Sequence, residues 1–148
     1  MSDELTRFQR LLEQAQRELD GLSEQLAVVD AQLRQTEAQV ADLEQYLQRL
    51  GQPDATQMDR GGDLLRQRGY LGQLFQALGQ LNQQVSALVA RRQETEQAWL
   101  AQRARVKALE KYLQRRLEAQ QRRQERQAQH TLDERAAWQW HTARASRS

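Results

Sequence analysis

Apolar residues along the first third of the chain recur at alternating intervals of three and four positions. From Leu5 to Leu50, thirteen of the fourteen positions in this register are apolar, and Thr36 is the polar exception. An average spacing of 3.5 residues, kept for more than six heptads, predicts a left-handed coiled coil rather than an ordinary amphipathic helix. The positions predicted to form the core of this first helix are Leu19, Leu22, Leu26, Val29, Leu33, Val40, Leu43 and Leu47.

Capping and breaking residues mark the ends of two predicted helices. Ser2 is a suitable N-cap, and Gly51, followed two residues later by Pro53, predicts the end of the first helix. Asp63 is expected to cap the second helix. The predicted boundaries are a helix over about 3–50, a loop over about 51–63, a helix over about 64–140 and a disordered end over about 143–148.

The second helix carries a less regular seam that keeps the same spacing. Its first part is apolar, but Arg92, Thr95 and Gln102 interrupt the later part. Because a loop of about a dozen residues joins the helices, they are expected to fold back as an antiparallel hairpin. A loop centred near residue 57 would place residue i opposite residue 114 − i, with Leu50 near Leu64. The same register would place Leu5 near Leu109. The core positions predicted on this helix are Leu78, Val85, Leu88, Trp99, Val106 and Leu109.

This register leaves the end of the second helix without a partner. The first helix is used up near Leu113, yet 35 more residues follow, and apolar positions are sparse among them. A helical continuation of 20–30 residues would project roughly 30–45 Å beyond the hairpin. It would be either a solvated helix that frays or a segment that orders on binding. The predicted fold is all-α, a single domain formed by a long two-helix antiparallel coiled-coil hairpin with a projecting C-terminal helical extension.

The formal net charge of +2 hides a gradient along the chain. Residues 1–50 carry a net charge of −5, residues 51–100 balance, and residues 101–148 carry +7. A basic segment of this kind can bind nucleic acid, an anionic lipid or an acidic protein surface. The excess of arginine over lysine among the basic residues is also what a GC-rich genome produces. The chain has no cysteine, no apolar run near the roughly 18 residues of a membrane span, and no signal-peptide pattern, so a cytoplasmic location is expected.

No combination of residues indicates catalysis, so the chain is predicted not to be an enzyme and to need no cofactor. His130 and His141 lie eleven residues apart, with Asp133 and Glu134 as the nearest carboxylates, and a solvated helix face explains them better than a metal site. The glycines lack the pattern that cradles phosphate. Nucleic-acid binding is disfavoured because acidic residues are interspersed among the arginines near the C-terminus.

Aromatic residues provide the candidate contact positions. Trp99 occupies a core position and is expected to pack there. Trp138 and Trp140 lie where no core is available, so they are either an exposed anchor for a partner or part of a disordered tail. A further set falls on one stripe of the second helix just after the loop, which is either core or partly exposed. This set is Tyr70, Leu74, Ala77 and Leu81.

Several of these features together resemble the FliJ family, the small coiled-coil component of the flagellar type III export apparatus. The first helix ends with Tyr46-Leu47, and after the loop comes Tyr70-Leu71-x-x-Leu74-x-x-Ala77-Leu78. Trp99 and Arg105-Val106-x-x-Leu109 follow, and Leu132-Asp133-Glu134 lies in a basic, Gln/Arg-rich tail. The resemblance covers most of residues 40–135.

Membership of this family would imply a non-enzymatic hairpin similar to the central stalk of rotary ATPases. It would insert into the hexameric ring of the export ATPase, promote its assembly and activity, contact the cytoplasmic part of the export-gate membrane protein, and handle export chaperones. It would associate peripherally with the inner membrane through the export apparatus.

The resemblance also implies particular contact residues. By position, the gate contact would be Tyr70, Leu74, Ala77 and Leu81, where Leu81 replaces the polar residue often found in the family. The ATPase contact would lie near the two chain ends, at the N-terminal turn and in the tail from about Leu113. The candidate residues for it in the basic tail are Arg115, Arg116, Arg122, Arg123 and Arg126. Two alternatives stay open from the sequence: the equivalent stalk of a virulence-type injectisome, and a generic scaffolding coiled coil that dimerises without any ATPase.

Overall fold

Two long helices make up this computed structural model, which describes residues 2–51 and 61–147, with side chains from 3 to 51 and from 65 to 147. Helix α1 spans Ser2–Leu50 and helix α2 spans Gly61–Ser146. They pack against each other antiparallel, and the described residues contain no strand, so the predicted all-α hairpin is confirmed. Neither helix contains, in the described part of the chain, a segment long and apolar enough to cross a membrane.

The bounds of α2 differ from the predicted ones at both ends. Helix α2 begins at Gly61, so Asp63 lies inside its first turn rather than at its N-cap. It continues to Ser146, past the predicted end near 140 and into the segment predicted to be disordered. Glycine disfavours a helix by only about 1 kcal/mol per residue, so Gly61 and Gly62 are tolerated in the first turn of α2. Most of the predicted loop, residues 52–60, lies outside the described residues.

The chain divides into two compact units, and both helices contribute to each. Unit 1 comprises Met1–Arg17 and Arg103–Ser148, and unit 2 comprises Glu18–Gln102. A single domain over 1–148 remains a prediction.

In unit 2, the predicted core positions line the contact between the helices. Val29 is buried at 2% exposure, whereas the neighbouring Val28 is 55% exposed. The remaining predicted core residues of this unit are half-buried, because a hairpin of two helices covers only one stripe of each. Thr36, the polar residue of the first seam, is buried, and its hydroxyl donates a 2.8 Å hydrogen bond to the carbonyl of Gln32. Its polar group is therefore satisfied within α1.

Polar contacts between the helices fix the register of unit 2. Arg92 forms an ion pair with Asp30. The indole N–H of Trp99 donates a 2.8 Å hydrogen bond to the hydroxyl of Ser23. Gln102 donates one of 3.2 Å to Glu18. In these three pairs the two residue numbers add up to between 120 and 122. The predicted register, in which residue i faces residue 114 − i, requires a sum of 114.

The predicted register is therefore wrong by about one heptad. The predicted pairing of Leu50 with Leu64 lies outside the described side chains, and residues 65–70 are all exposed. A leucine seam that repeats every seven residues fits equally well after a shift of seven, so the apolar pattern alone could not select the register.

Unit 1 holds the beginning of α1 against the later part of α2. Glu4 and Arg116 form a 2.7 Å ion pair, and the rings of Phe8 and Tyr112 lie 4.7 Å apart between centroids. Leu5 consequently lies near residues 115–116 instead of near the predicted Leu109. Val106 is buried, Leu109 is half-buried, and every residue from 117 to 147 is exposed. We call residues 117–147 the C-terminal extension.

Candidate docking surfaces

The stripe predicted to contact the gate lies in unit 2 on the flank of the helix contact. Tyr70 is 48% exposed, while Leu74, Ala77 and Leu81 are half-buried. Leu74 and Leu81 belong to the apolar seam of α2, and Tyr70 and Ala77 each lie one position before a seam residue. The stripe thus combines an exposed phenol with apolar side chains that also pack against α1, so core and docking roles overlap there.

Tyr46 of α1, which belongs to the motif at the end of the first helix but was not a predicted contact residue, lies beside Tyr70. A hydrogen-bond interaction with Tyr70, followed by electrostatic interaction between the two phenols and by partial desolvation, raises the pKa of Tyr46 above its ordinary value. Both residues precede a seam position, and in an antiparallel coiled coil such flanking positions face each other across the groove. The signal in the sequence is that each tyrosine comes directly before a seam leucine, Leu47 or Leu71.

Three of the five tail arginines share one face of α2. Arg115, Arg122 and Arg126 lie within about 40° of one line along the helix, because each residue turns the helix by about 100°. Arg123 lies about 80° from Arg115 by the same geometry. Arg116 instead pairs with Glu4 of α1 and is half-buried. The structure therefore separates one arginine that joins the helices from those that face outward.

The two tryptophans of the C-terminal extension point in different directions. Trp138 is 69% exposed and Trp140 is 58% exposed. Two residues of helix turn the chain by about 200°, so the two side chains lie on opposite sides of α2. The Arg144 guanidinium lies 5.0 Å from the centroid of the Trp140 ring, a cation–π contact, and the His141 ring lies 5.4 Å from the same ring. Trp138 and Trp140 therefore cannot both contact one flat partner surface.

Comparison with known proteins decides which family this hairpin represents. The family model described as Flagellar FliJ protein matches residues 4–145, nearly the whole chain. The chain belongs to the FliJ family. No significant match was found among curated proteins or solved structures.

FliJ-family membership confirms the resemblance drawn from the sequence and places the chain among the stalk-type proteins of flagellar export. The family is a structural and adaptor family and is not known for catalysis. The match therefore favours the flagellar system over the injectisome alternative.

The histidines of this FliJ-family chain occupy the exposed extension. His130 lies 3.0 Å from Glu134, one turn further along α2. No group of three or more potential ligand residues is placed to hold a metal ion within the described ranges. The contact between His130 and Glu134 resembles the pairs at a spacing of four residues that stabilise exposed helices.

Proposed function

We propose that this FliJ-family protein acts as a stalk and adaptor in flagellar export. It promotes the assembly and activity of the hexameric export ATPase, contacts the cytoplasmic part of the export-gate membrane protein, and handles export chaperones. The observation that carries this proposal is the C-terminal extension, a continuous helix whose residues are all exposed. A helix left uncovered over about thirty residues is unusual unless a partner surrounds or contacts it.

The ATPase contact is assigned to the extension and the turns before it. Of the predicted contact residues Arg115, Arg116, Arg122, Arg123 and Arg126, all but Arg116 are exposed. Arg116 pairs with Glu4, so its role in this proposal is to hold the first turn of α1 against α2. An arginine-rich contact is expected to attract an acidic surface and to weaken as salt is added.

The gate contact is assigned to Tyr70, Leu74, Ala77 and Leu81. The exposure of Tyr70 supports this assignment, because an exposed aromatic ring next to an apolar groove is a common anchor for a partner. Through these contacts the protein would associate peripherally with the inner membrane. Cells without it would be expected to lose motility and hence chemotactic swarming.

The test is the ATP hydrolysis rate of the cognate export ATPase, measured with the full-length chain and with a chain truncated after Leu113. Stimulation by the full-length chain and its loss on truncation are expected. A second truncation after Arg144, which keeps the five predicted contact arginines and both tryptophans of the extension, serves as the control for loss of the chain end. Absence of stimulation by the full-length chain, under conditions where the ATPase forms rings, would contradict the proposal and favour a generic scaffold.

A further inference from the structure

A narrow stripe of cationic and aromatic side chains runs along unit 1 from the end of the hairpin into the C-terminal extension. At about 100° per residue, five side chains fall within a sector of about 40° over nearly thirty residues of α2. We call this set the arginine–tryptophan stripe. Its members are Arg115, Arg122, Arg126, Trp140 and Arg144.

The members of the stripe are available to a partner. All five are exposed, and no ion pair engages Arg115 or Arg126 among the described residues. Arg122 approaches Glu118 only at 3.8 Å, with both side chains mostly in solvent, which is a weak interaction. Arg144 rests against the ring of Trp140, which remains 58% exposed.

The opposite side of the same helix provides an internal comparison. Arg135 and Trp138 lie roughly 140–160° from the stripe and are equally exposed. Arginine and tryptophan are among the residue types most enriched at the energetic centres of protein interfaces. The stripe contains four arginines and one tryptophan, whereas the opposite side of this part of α2 has only Arg135 and Trp138 of these residue types.

Acidic residues near the stripe indicate the class of partner. Asp133 lies within the same sector, and Glu118 and Glu125 lie only about 60–80° from it. A nucleic acid or an anionic bilayer presents uniform negative charge, so these carboxylates would weaken its attraction to the arginines. A folded protein can place carboxylates opposite the arginines and a donor opposite Asp133, so the mixed pattern favours a protein.

We propose that the arginine–tryptophan stripe is the face by which the extension binds a carboxylate-rich protein surface, with Trp140 as its aromatic anchor. The inference rests on the proposed function for the identity of that protein, the export ATPase. It narrows the contact to one side of α2, removes Arg116 and Arg123 from it, and adds Trp140 and Arg144.

The experiment measures the affinity of the full-length chain for the purified export ATPase at low and at physiological salt, using two matched pairs of variants. Arg126→Glu is expected to weaken binding roughly tenfold at low salt, against less than about twofold for Arg135→Glu, which changes the net charge equally. Trp140→Ala is expected to weaken binding roughly tenfold, whereas Trp138→Ala has little effect. All four side chains are exposed, so circular dichroism should show unchanged helix content.

The outcomes separate this inference from the proposed function. If the wild-type chain binds the ATPase but the members of each pair behave alike, the stripe is overturned and the proposed function stands. If the wild-type chain does not bind the ATPase at either salt concentration, both are overturned. Tighter, stripe-dependent binding to oligouridylate or to phosphatidylglycerol vesicles than to the ATPase would overturn the assignment of a protein partner.

Discussion

Arg92, a polar residue at a seam position of α2, forms an ion pair with Asp30 of α1 in the middle of unit 2. The pairing with Asp30 raises the pKa of Arg92, through their hydrogen bond and then through charge attraction. Polar groups at seam positions of coiled coils fix register, because a shifted partner would leave them unpaired. One heptad away, the leucines would still meet leucines, but Arg92 would no longer face Asp30.

Disulfide cross-linking can measure this register directly, since the chain has no cysteine of its own. In the observed register Leu33 lies opposite Leu88, and after a shift of one heptad it would face Leu81. Oxidation is therefore expected to cross-link Leu33→Cys with Leu88→Cys but not Leu33→Cys with Leu81→Cys. Adding Asp30→Ala and Arg92→Ala to each pair is expected to increase the second product. Predominance of the second product without those changes would refute the register.

Val28 and Val29 are adjacent valines with opposite environments, which makes them a matched pair for testing the seam. Val29→Asp would place an unpaired charge in the buried position and is expected to destabilise the hairpin by roughly 3 kcal/mol or more. Val28→Asp is expected to change stability by no more than about 0.5 kcal/mol. Urea denaturation followed by circular dichroism measures both. Similar losses for the two variants would show that the seam is placed wrongly.

The Tyr46–Tyr70 interaction predicts a specific titration. Because the interaction favours the protonated phenol, the pKa of Tyr46 lies above its ordinary value near 10. Its stabilising contribution is therefore fully present below about pH 10 and is lost as the pH rises through the raised pKa. Tyr70→Phe is expected to shift the titration of Tyr46 to lower pH, as measured by ultraviolet absorbance of the phenolate. Tyr112→Phe, in unit 1, is the control and should leave the titration of Tyr46 unchanged.

The proposed gate contact at Tyr70, Leu74, Ala77 and Leu81 predicts that two activities can be separated. Tyr70→Ala combined with Leu74→Ala is expected to reduce binding of the cytoplasmic part of the gate roughly tenfold or more while leaving ATPase stimulation intact. Phe75→Ala, an exposed aromatic one position beyond Leu74, is the control for general loss of apolar surface. Equal loss of both activities in the double variant would indicate that the stripe acts only as core.

Sequence periodicity predicted which side of each helix is covered, because burial follows from spacing alone. It distinguished Val29 from Val28 and placed Val106 in the seam without knowledge of the partner helix. Periodicity could not select the register, since a shift by one heptad preserves the apolar pattern. It therefore showed that Arg92 interrupts the seam but did not predict that Asp30 is its partner. That partner depends on a contact between residues sixty-two positions apart.

For the candidate sites too, the sequence predicted which residue types are present but not how they are arranged in space. The sequence shows that the tail is rich in arginine. Which arginines share one face follows only because α2 is continuous through the extension. Trp138 and Trp140 are close in the sequence and were predicted as one candidate anchor, but they lie on opposite sides of the continuous helix. The contact between Tyr46 and Tyr70 depends on how the two helices meet, so the sequence of neither helix predicts it.

The solvent-exposed extension also affects how long an unassembled copy survives. Its backbone is held only by hydrogen bonds within one helix, so it opens locally far more often than the paired parts of the chain. Each opening exposes arginine-rich peptide bonds to cleavage by proteases, and a bound partner would suppress those openings. We therefore expect the segment that is available for docking to shorten the lifetime of the free chain, so that the abundance of the protein would follow the number of partners that hold it.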